Sequence, residues 1–316
     1  MAPEKISKSG YPRGILRRFP HYIGMIPILL GILPSHAEAW GDEGHEVTVA
    51  IALHFMSPDK RQQLIDLLSQ DTDPLTPHDP IASAVWADRY RDSGSHGPHV
   101  NYHHTHEWHF ADLDRHHPDL NQVCHGFSAL PAGTPASDGP ARACVVEKIE
   151  QFSAELEHYR QAGRPISDRP EAIMAVKYLI HLVGDLHQPL HVIDDHDRGG
   201  NELRVKWDHA HAGSLHHYWD TTFVERLDPD ATHLATTLTA AITPANVHAW
   251  QQGRVRDWAR ESFETARSQA YDPLPLPDER GHYHLSDAYA RQAMTLISLQ
   301  LEEGGVRLAQ LLDRVL

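Results

Sequence analysis

Residues 170–191 read PEAIMAVKYLIHLVGDLHQPLH, and they bear on fold class and chemistry together. Pro170 suits the first turn of a helix, where a missing N–H costs nothing, and Pro189 stops one. Between them the run is apolar nearly all round, which predicts a helix over 170–186 at the centre of the core. Two of its polar residues, His181 and Asp185, stand four apart. On a helix their side chains share a face and can reach one ion. Imidazole with carboxylate is a ligand mix that suits zinc. A solvated polar face is the competing reading, but the flanks are apolar, and a buried His–Asp pair needs a partner. Past Pro189 the chain turns, so His191 can point to a different place.

The same spacing recurs downstream. His216-His217-Tyr218-Trp219-Asp220 again sets a His and an Asp four apart, with Trp219 placed to shield them. One H-x-x-x-D is weak evidence, while two in one acidic, His-rich chain are much stronger. Between them Gly199-Gly200-Asn201 reads as a turn, and Leu203 to Trp207 alternates like a strand, so a small hairpin is expected. Upstream, helices are expected over 42–55 and 58–69, a loop over 70–80 and a helix over 81–91 that carries Trp86-Ala87-Asp88 and Arg91. A His-rich connection leads to Trp108-His109-Phe110-Ala111-Asp112, where His103, His104 and His106 leave the choice of His109 open on chemistry alone. Residues 113–139 read as irregular, and helices follow over 142–161, 215–226, 244–270 and 285–314. There is no internal repeat and no linker. The reading is all-α, a single-domain helical bundle with at most a small β-hairpin.

The N-terminal stretch has its own logic. Lys5, Lys8, Arg13, Arg17 and Arg18 precede an apolar run, Tyr22 to Leu33, broken by Pro27 and short for a bilayer. Ala37-Glu38-Ala39 then offers a small-x-small cleavage site. Residues 1–39 are expected to be a signal peptide that is removed, with an uncleaved anchor as the alternative. The product would be secreted or periplasmic, with no membrane contact in the mature form, and a monomer. Cleavage after Ala39 makes Trp40 the new N-terminus. Its free amino and carbonyl groups can chelate a metal, and His45 is near enough to reach the same ion.

Composition narrows the function class. The chain has 316 residues and 27 histidines, with a formal net charge of −15. The first 39 residues hold five Lys or Arg against two Asp or Glu, so residues 40–316 carry −18. Such a balance argues against nucleic-acid binding through a basic surface. Bound divalent ions would reverse the sign locally, in the cleft where phosphate would bind. The two cysteines, Cys124 and Cys144, lie outside the ligand motifs. In an exported chain an isolated pair reads as a disulfide, two free thiols being the alternative.

Together these motifs resemble the zinc-dependent single-strand-specific nuclease and 3′-nucleotidase family, that of mung bean nuclease and its fungal and bacterial relatives. The matching stretches are Trp40 to His45, Trp86 to Asp88, Trp108 to Asp112, His181 to His191, Gly199 to Asn201 and His216 to Asp220. They fall in family order over about 180 residues. With one possible bridge and no N-x-S/T sequon after residue 39, the chain looks like a bacterial member.

The resemblance implies a helical fold of the phospholipase C and single-strand nuclease type over 40–316, with three Zn2+. One would be held by Asp88, His109, His181 and Asp185, a second by Trp40, His45 and the bridging Asp185, and a third by His191, His216 and Asp220. It further implies in-line hydrolysis to 5′-phosphate products, with Asp88 and Asp185 in the catalytic centre and Arg91 stabilising phosphoryl charge. Phe110 would stack on a base and Asp112 would accept hydrogen bonds from it. That favours unpaired bases in single-stranded nucleic acid and 3′-nucleotides. The alternatives are a zinc phospholipase C and a non-catalytic periplasmic zinc-binding protein. The Trp108-to-Asp112 and Gly-Gly-Asn stretches favour the nuclease over the lipase.

Overall fold

A computed structural model describes residues 40–93, 100–131, 133–162 and 170–316. The expected signal peptide lies outside the described residues. In chain order the elements are α1 (Asp42–Phe55), α2 (Pro58–Leu68), α3 (Trp86–Asp92), α4 (Val100–Thr105), α5 (Leu120–Val123), α6 (Val145–Gln161), α7 (Pro170–Leu186), β1 (Arg204–Lys206) and β2 (Gly213–Ser214). They continue with α8 (Leu215–His217), α9 (Phe223–Leu227), α10 (Ala231–Ala241), α11 (Pro244–Trp250), α12 (Val255–Thr265), β3 (His282–His284) and α13 (Asp287–Val315). Short 3-10 turns span Ala82–Val85, His106–His109 and Pro189–His191. Single π-turns cover Tyr218–Thr222 and Ala266–Tyr271.

The all-α reading holds, and its centre is the stretch that announced it. From Ala172 to Leu186, α7 is buried at every position except Met174, as a helix apolar all round must be. Helices α6, α13, α3 and α1 surround it. Helix α1 packs on α13 and α10 as well as on α7, and one glycine governs how closely. A Cβ at Gly184 would lie 2.7 Å from His45 Nδ1, so only glycine on α7 lets the imidazole from α1 lie against it. At the far end of α7, His187 donates from Nδ1 to the Val183 carbonyl at 2.7 Å and accepts at Nε2 from Arg307 of α13 at 3.0 Å. It is a fully buried tie between helices, although it sits among the ligand candidates in sequence.

Details differ from the expectation: α4 lies in the expected connection, and the helix expected over 215–226 is α8, a π-turn and α9. The helix expected over 244–270 is two, because Gly253 turns the chain with φ +80 and Asp257 caps the backbone N–H of Arg254 at 3.0 Å. Helix α10 was not expected. It is rich in Ala and Thr, and it starts where the Asp230 side chain accepts from Thr232 and His233 N–H. The expected hairpin, β1 with β2, gains a third strand, since β3 pairs parallel to β1 with Arg204 opposite His282. Three residues are too few to show alternation in sequence. Cys124 and Cys144 are joined as a disulfide, at the two ends of the largely irregular stretch before α6. Next to that bridge, Val145 N–H donates to the Phe110 carbonyl at 2.8 Å.

Candidate metal centre

The fold brings residues from seven segments to one buried place. His45 comes from α1, Asp88 from α3, His109 from the 3-10 turn after α4, and His181 and Asp185 from α7. His191 comes from the turn that Pro189 forces, His216 from α8 and Asp220 from the π-turn after it. All eight side chains are buried. They form three groups whose ligand-type atoms lie within 4.8 Å of one another: His45, Asp88 and His181; His109, His181 and Asp185; and His191, His216 and Asp220.

Asp185 is the hub. Its Oδ2 lies 2.9 Å from His109 Nδ1 and 3.1 Å from His181 Nε2. Its Oδ1 lies 3.4 Å from His45 Nε2 and 3.5 Å from His191 Nδ1. One carboxylate therefore faces four imidazoles from four parts of the chain, each oxygen toward a different pair. The second H-x-x-x-D motif places His216 Nε2 3.3 Å from Asp220 Oδ2.

The residues suit a metal on grounds of unmet bonding. His45 Nδ1 and Nε2, His109 Nε2, Asp185 Oδ1, His191 Nε2 and His216 Nε2 are all buried with no hydrogen-bond partner. Each such atom is costly unless something binds it. The opposite ring nitrogens of two of these imidazoles, and one nitrogen of the neighbouring His181, are fixed by backbone carbonyls. His181 Nδ1 donates to Ala84 at 2.7 Å, His191 Nδ1 to His109 at 3.0 Å and His216 Nδ1 to Gly199 at 2.7 Å. This is the support that metal-ligating histidines receive.

The electrostatics agree. Burial pushes the imidazoles of His45 and His109 down, His191 to about 3 and His216 to about 4, which keeps them neutral. Burial works to raise Asp88, but Arg91 beside it brings its carboxyl down to about 2. At Asp185 burial likewise loses, here to the His181 charge and to hydrogen bonds from the His109 and His181 rings. His181 is the exception, because Asp185 and Asp88 overcome burial and raise it to about 9. Neutral imidazoles around ionised carboxylates make a site that attracts cations.

The remaining expected residues lie at the edges of this centre. Trp40 is buried at the head of α1, and the next residue, Gly41, donates its N–H to the Asp220 carbonyl at 3.0 Å. Arg91 is buried too. Its Nη1 pairs with Asp88 at 2.6 Å, and its Nε and Nη2 pair with Asp92 at 2.9 and 3.1 Å. A guanidinium has five N–H groups, so one remains on each terminal nitrogen. Phe110 is half-buried, its ring 4.8 Å from that of His191 and edge-on to His106 at 5.3 Å. Asp112 is open to solvent at its outer edge. Packing around it and the charges of Asp194 and Glu107 raise its pKa.

Sequence reasoning missed Gln188. This fully buried amide donates to Asp220 Oδ1 and accepts from Leu190 N–H at 2.7 Å. It leaves Asp220 Oδ2 facing His216. The only signal was an amide beside the proline that ends α7.

The family model for S1/P1 nuclease matches residues 40–316. Endonuclease 2 of Arabidopsis thaliana is 25% identical over 305 residues, covering 92% of this chain and 95% of that protein. Endonuclease 1 of the same plant is 28% identical over 313 residues, covering 91% and 92%. Nuclease P1 of Penicillium citrinum is 26% identical over 296 residues, covering 87% and 97%.

Proposed function

The chain belongs to the S1/P1 nuclease family, and from that premise we propose that it is a zinc-dependent endonuclease. Its substrates would be single-stranded DNA and RNA, cut to 5′-phosphate products, with 3′-nucleotides as smaller substrates. Exported to the periplasm or beyond, it would act as a monomer. The observation that carries this reading is Asp185, one carboxylate set among four imidazoles whose neighbours include buried atoms without partners.

The residues divide the work. Asp88, His109, His181 and Asp185 would hold one zinc, and Trp40, His45 and Asp185 a second. His191, His216 and Asp220 would hold the third. Zinc bound there supplies Lewis acidity, bringing the pKa of water toward neutrality and drawing charge from phosphoryl oxygens. Arg91 fixes Asp88 by their 2.6 Å pair and keeps two N–H groups for an oxygen of the scissile phosphate. Gln188 fixes Asp220 in the same sense. Phe110 offers the open part of its ring to a base, and Asp112 accepts from the base edge. A base paired in a duplex cannot lie on Phe110, so the choice falls on unpaired strands.

The test uses the protein from Trp40 onward. Bound zinc is counted, and hydrolysis of single-stranded DNA and RNA is followed before and after chelation. About three zincs and chelator-sensitive release of 5′-nucleotides are expected. Metal bound at that level with no cleavage of any nucleic acid would overturn the assignment and leave a zinc-holding protein.

A further inference from the structure

The loop from Asp194 to Gly200 is one of two places among the described residues where non-glycine residues hold positive φ. His196, Arg198, Gly199 and Gly200 all have positive φ, at 59, 59, 60 and 82. For His and Arg that region is uncommon, and it persists only where the surroundings impose it. Here Asp194 imposes it, since its Oδ1 accepts the N–H groups of Asp197, Arg198 and Gly199 at 3.1, 2.8 and 3.3 Å. Asp197 adds to the clamp by accepting from Gly200 N–H and the Tyr271 hydroxyl, both at 2.8 Å.

The clamp has an address. On one side, Asp194 N–H donates to the Leu113 carbonyl at 2.8 Å, which lays the loop beside the segment carrying Phe110 and Asp112. On the other, the Gly199 carbonyl receives His216 Nδ1 at 2.7 Å. Arg198 lies between these two anchors, exposed. Among the described residues no carboxylate lies within ion-pairing distance of its guanidinium, whereas Arg91 in the floor of the site is held by two. Burial raises the pKa of Asp112 and lowers those of His106 and His216, while the Arg198 charge works to lower all three. The strain therefore presents a cation at the mouth of the centre, on a surface whose overall charge is strongly negative.

We propose that Arg198 grips the 5′-phosphate of the nucleotide whose base lies at Phe110 and Asp112. This rests on the nuclease reading above, which sets the 3′-phosphate of that nucleotide at the metal ligands. The group left to meet a cation beside Asp112 is the phosphate on the other side of the sugar. A planar guanidinium suits it, because two parallel N–H groups meet two phosphate oxygens. Arg198 then distinguishes a nucleotide within a strand from one whose 5′ end is bare.

Two small substrates isolate that phosphate: adenosine 3′-phosphate and adenosine 3′,5′-bisphosphate. The wild-type protein should show a lower KM for the bisphosphate. In Arg198→Asn, chosen because Asn tolerates positive φ, KM for the bisphosphate should rise about tenfold. KM for the monophosphate should stay within about twofold. Arg198→Lys should recover much of the preference. Equal KM values in the wild type, or an equal rise for both substrates in Arg198→Asn with zinc content intact, would overturn the role of Arg198 alone. Hydrolysis of neither substrate by zinc-loaded wild-type protein would remove the nuclease reading and this inference with it.

Discussion

At Asp112 the surroundings determine what an ordinary side chain can do. Packing, with Asp194 and Glu107 nearby, raises its pKa above the usual aspartate range. A raised carboxyl stays protonated at pH values where a free aspartate is ionised, so it loses acceptor capacity as pH falls through that raised value. If Asp112 receives hydrogen bonds from a base, KM for a 3′-nucleotide should climb several-fold between about pH 7.5 and pH 5.5. Asp112→Asn should flatten that slope. A slope unchanged by the substitution would show that Asp112 does not titrate against the base. Such residue-level roles were unequally legible in the sequence. His181 and Asp185 declared themselves by spacing, because a helix turns four residues into one face. Gln188 did not, because its partner, Asp220, lies 32 positions along the chain and only the fold brings them together.

At the scale of an element, α7 does two jobs that pull against each other. Its apolar surface must be filled on every side, yet His45 of α1 must lie against it. Gly184 reconciles the two. In an exposed helix Gly to Ala gains about 1 kcal/mol. Here the new Cβ would meet His45 Nδ1 at 2.7 Å, so Gly184→Ala should displace the imidazole. The measurements are bound zinc and turnover, and both should fall while helical circular dichroism stays near the wild-type level. Full zinc content and full turnover in this variant would show that His45 does not need its present seat. The elements themselves were readable where periodicity was long, as in α1, α6, α7 and α13. They were unreadable where a single glycine, Gly253, split a helix, and where a three-residue strand, β3, found its partner 78 positions away, His282 beside Arg204.

For the molecule as a whole, the centre is also a knot. Its ligand candidates come from α1, α3, the turn after α4, α7, the turn after α7, α8 and the π-turn beyond it, so segments from Asp42 to Thr222 meet at one place. The bare clusters leave buried nitrogen and oxygen atoms without partners, and metal binding to the folded state alone adds to stability by mass action. At a metal concentration about a thousandfold above the dissociation constant the gain is about 4 kcal/mol. For a domain of this size that corresponds to a melting temperature higher by about 10 °C. Chelation should reverse it, as followed by thermal unfolding with and without chelator. An unchanged melting temperature would mean that the clusters hold no metal that the fold relies on. The sequence could not show this, because the knot exists only once the segments have converged.

That convergence also bears on how long a molecule lasts. Proteases attack chains that open, and a copy short of metal has seven segments held together by groups that lack their common partner. Such copies would be digested first, so in a protease-rich setting the surviving population would be the loaded one. Metal supply would then set the abundance of the protein as well as its rate, and scarcity would thin the population before any substrate was met.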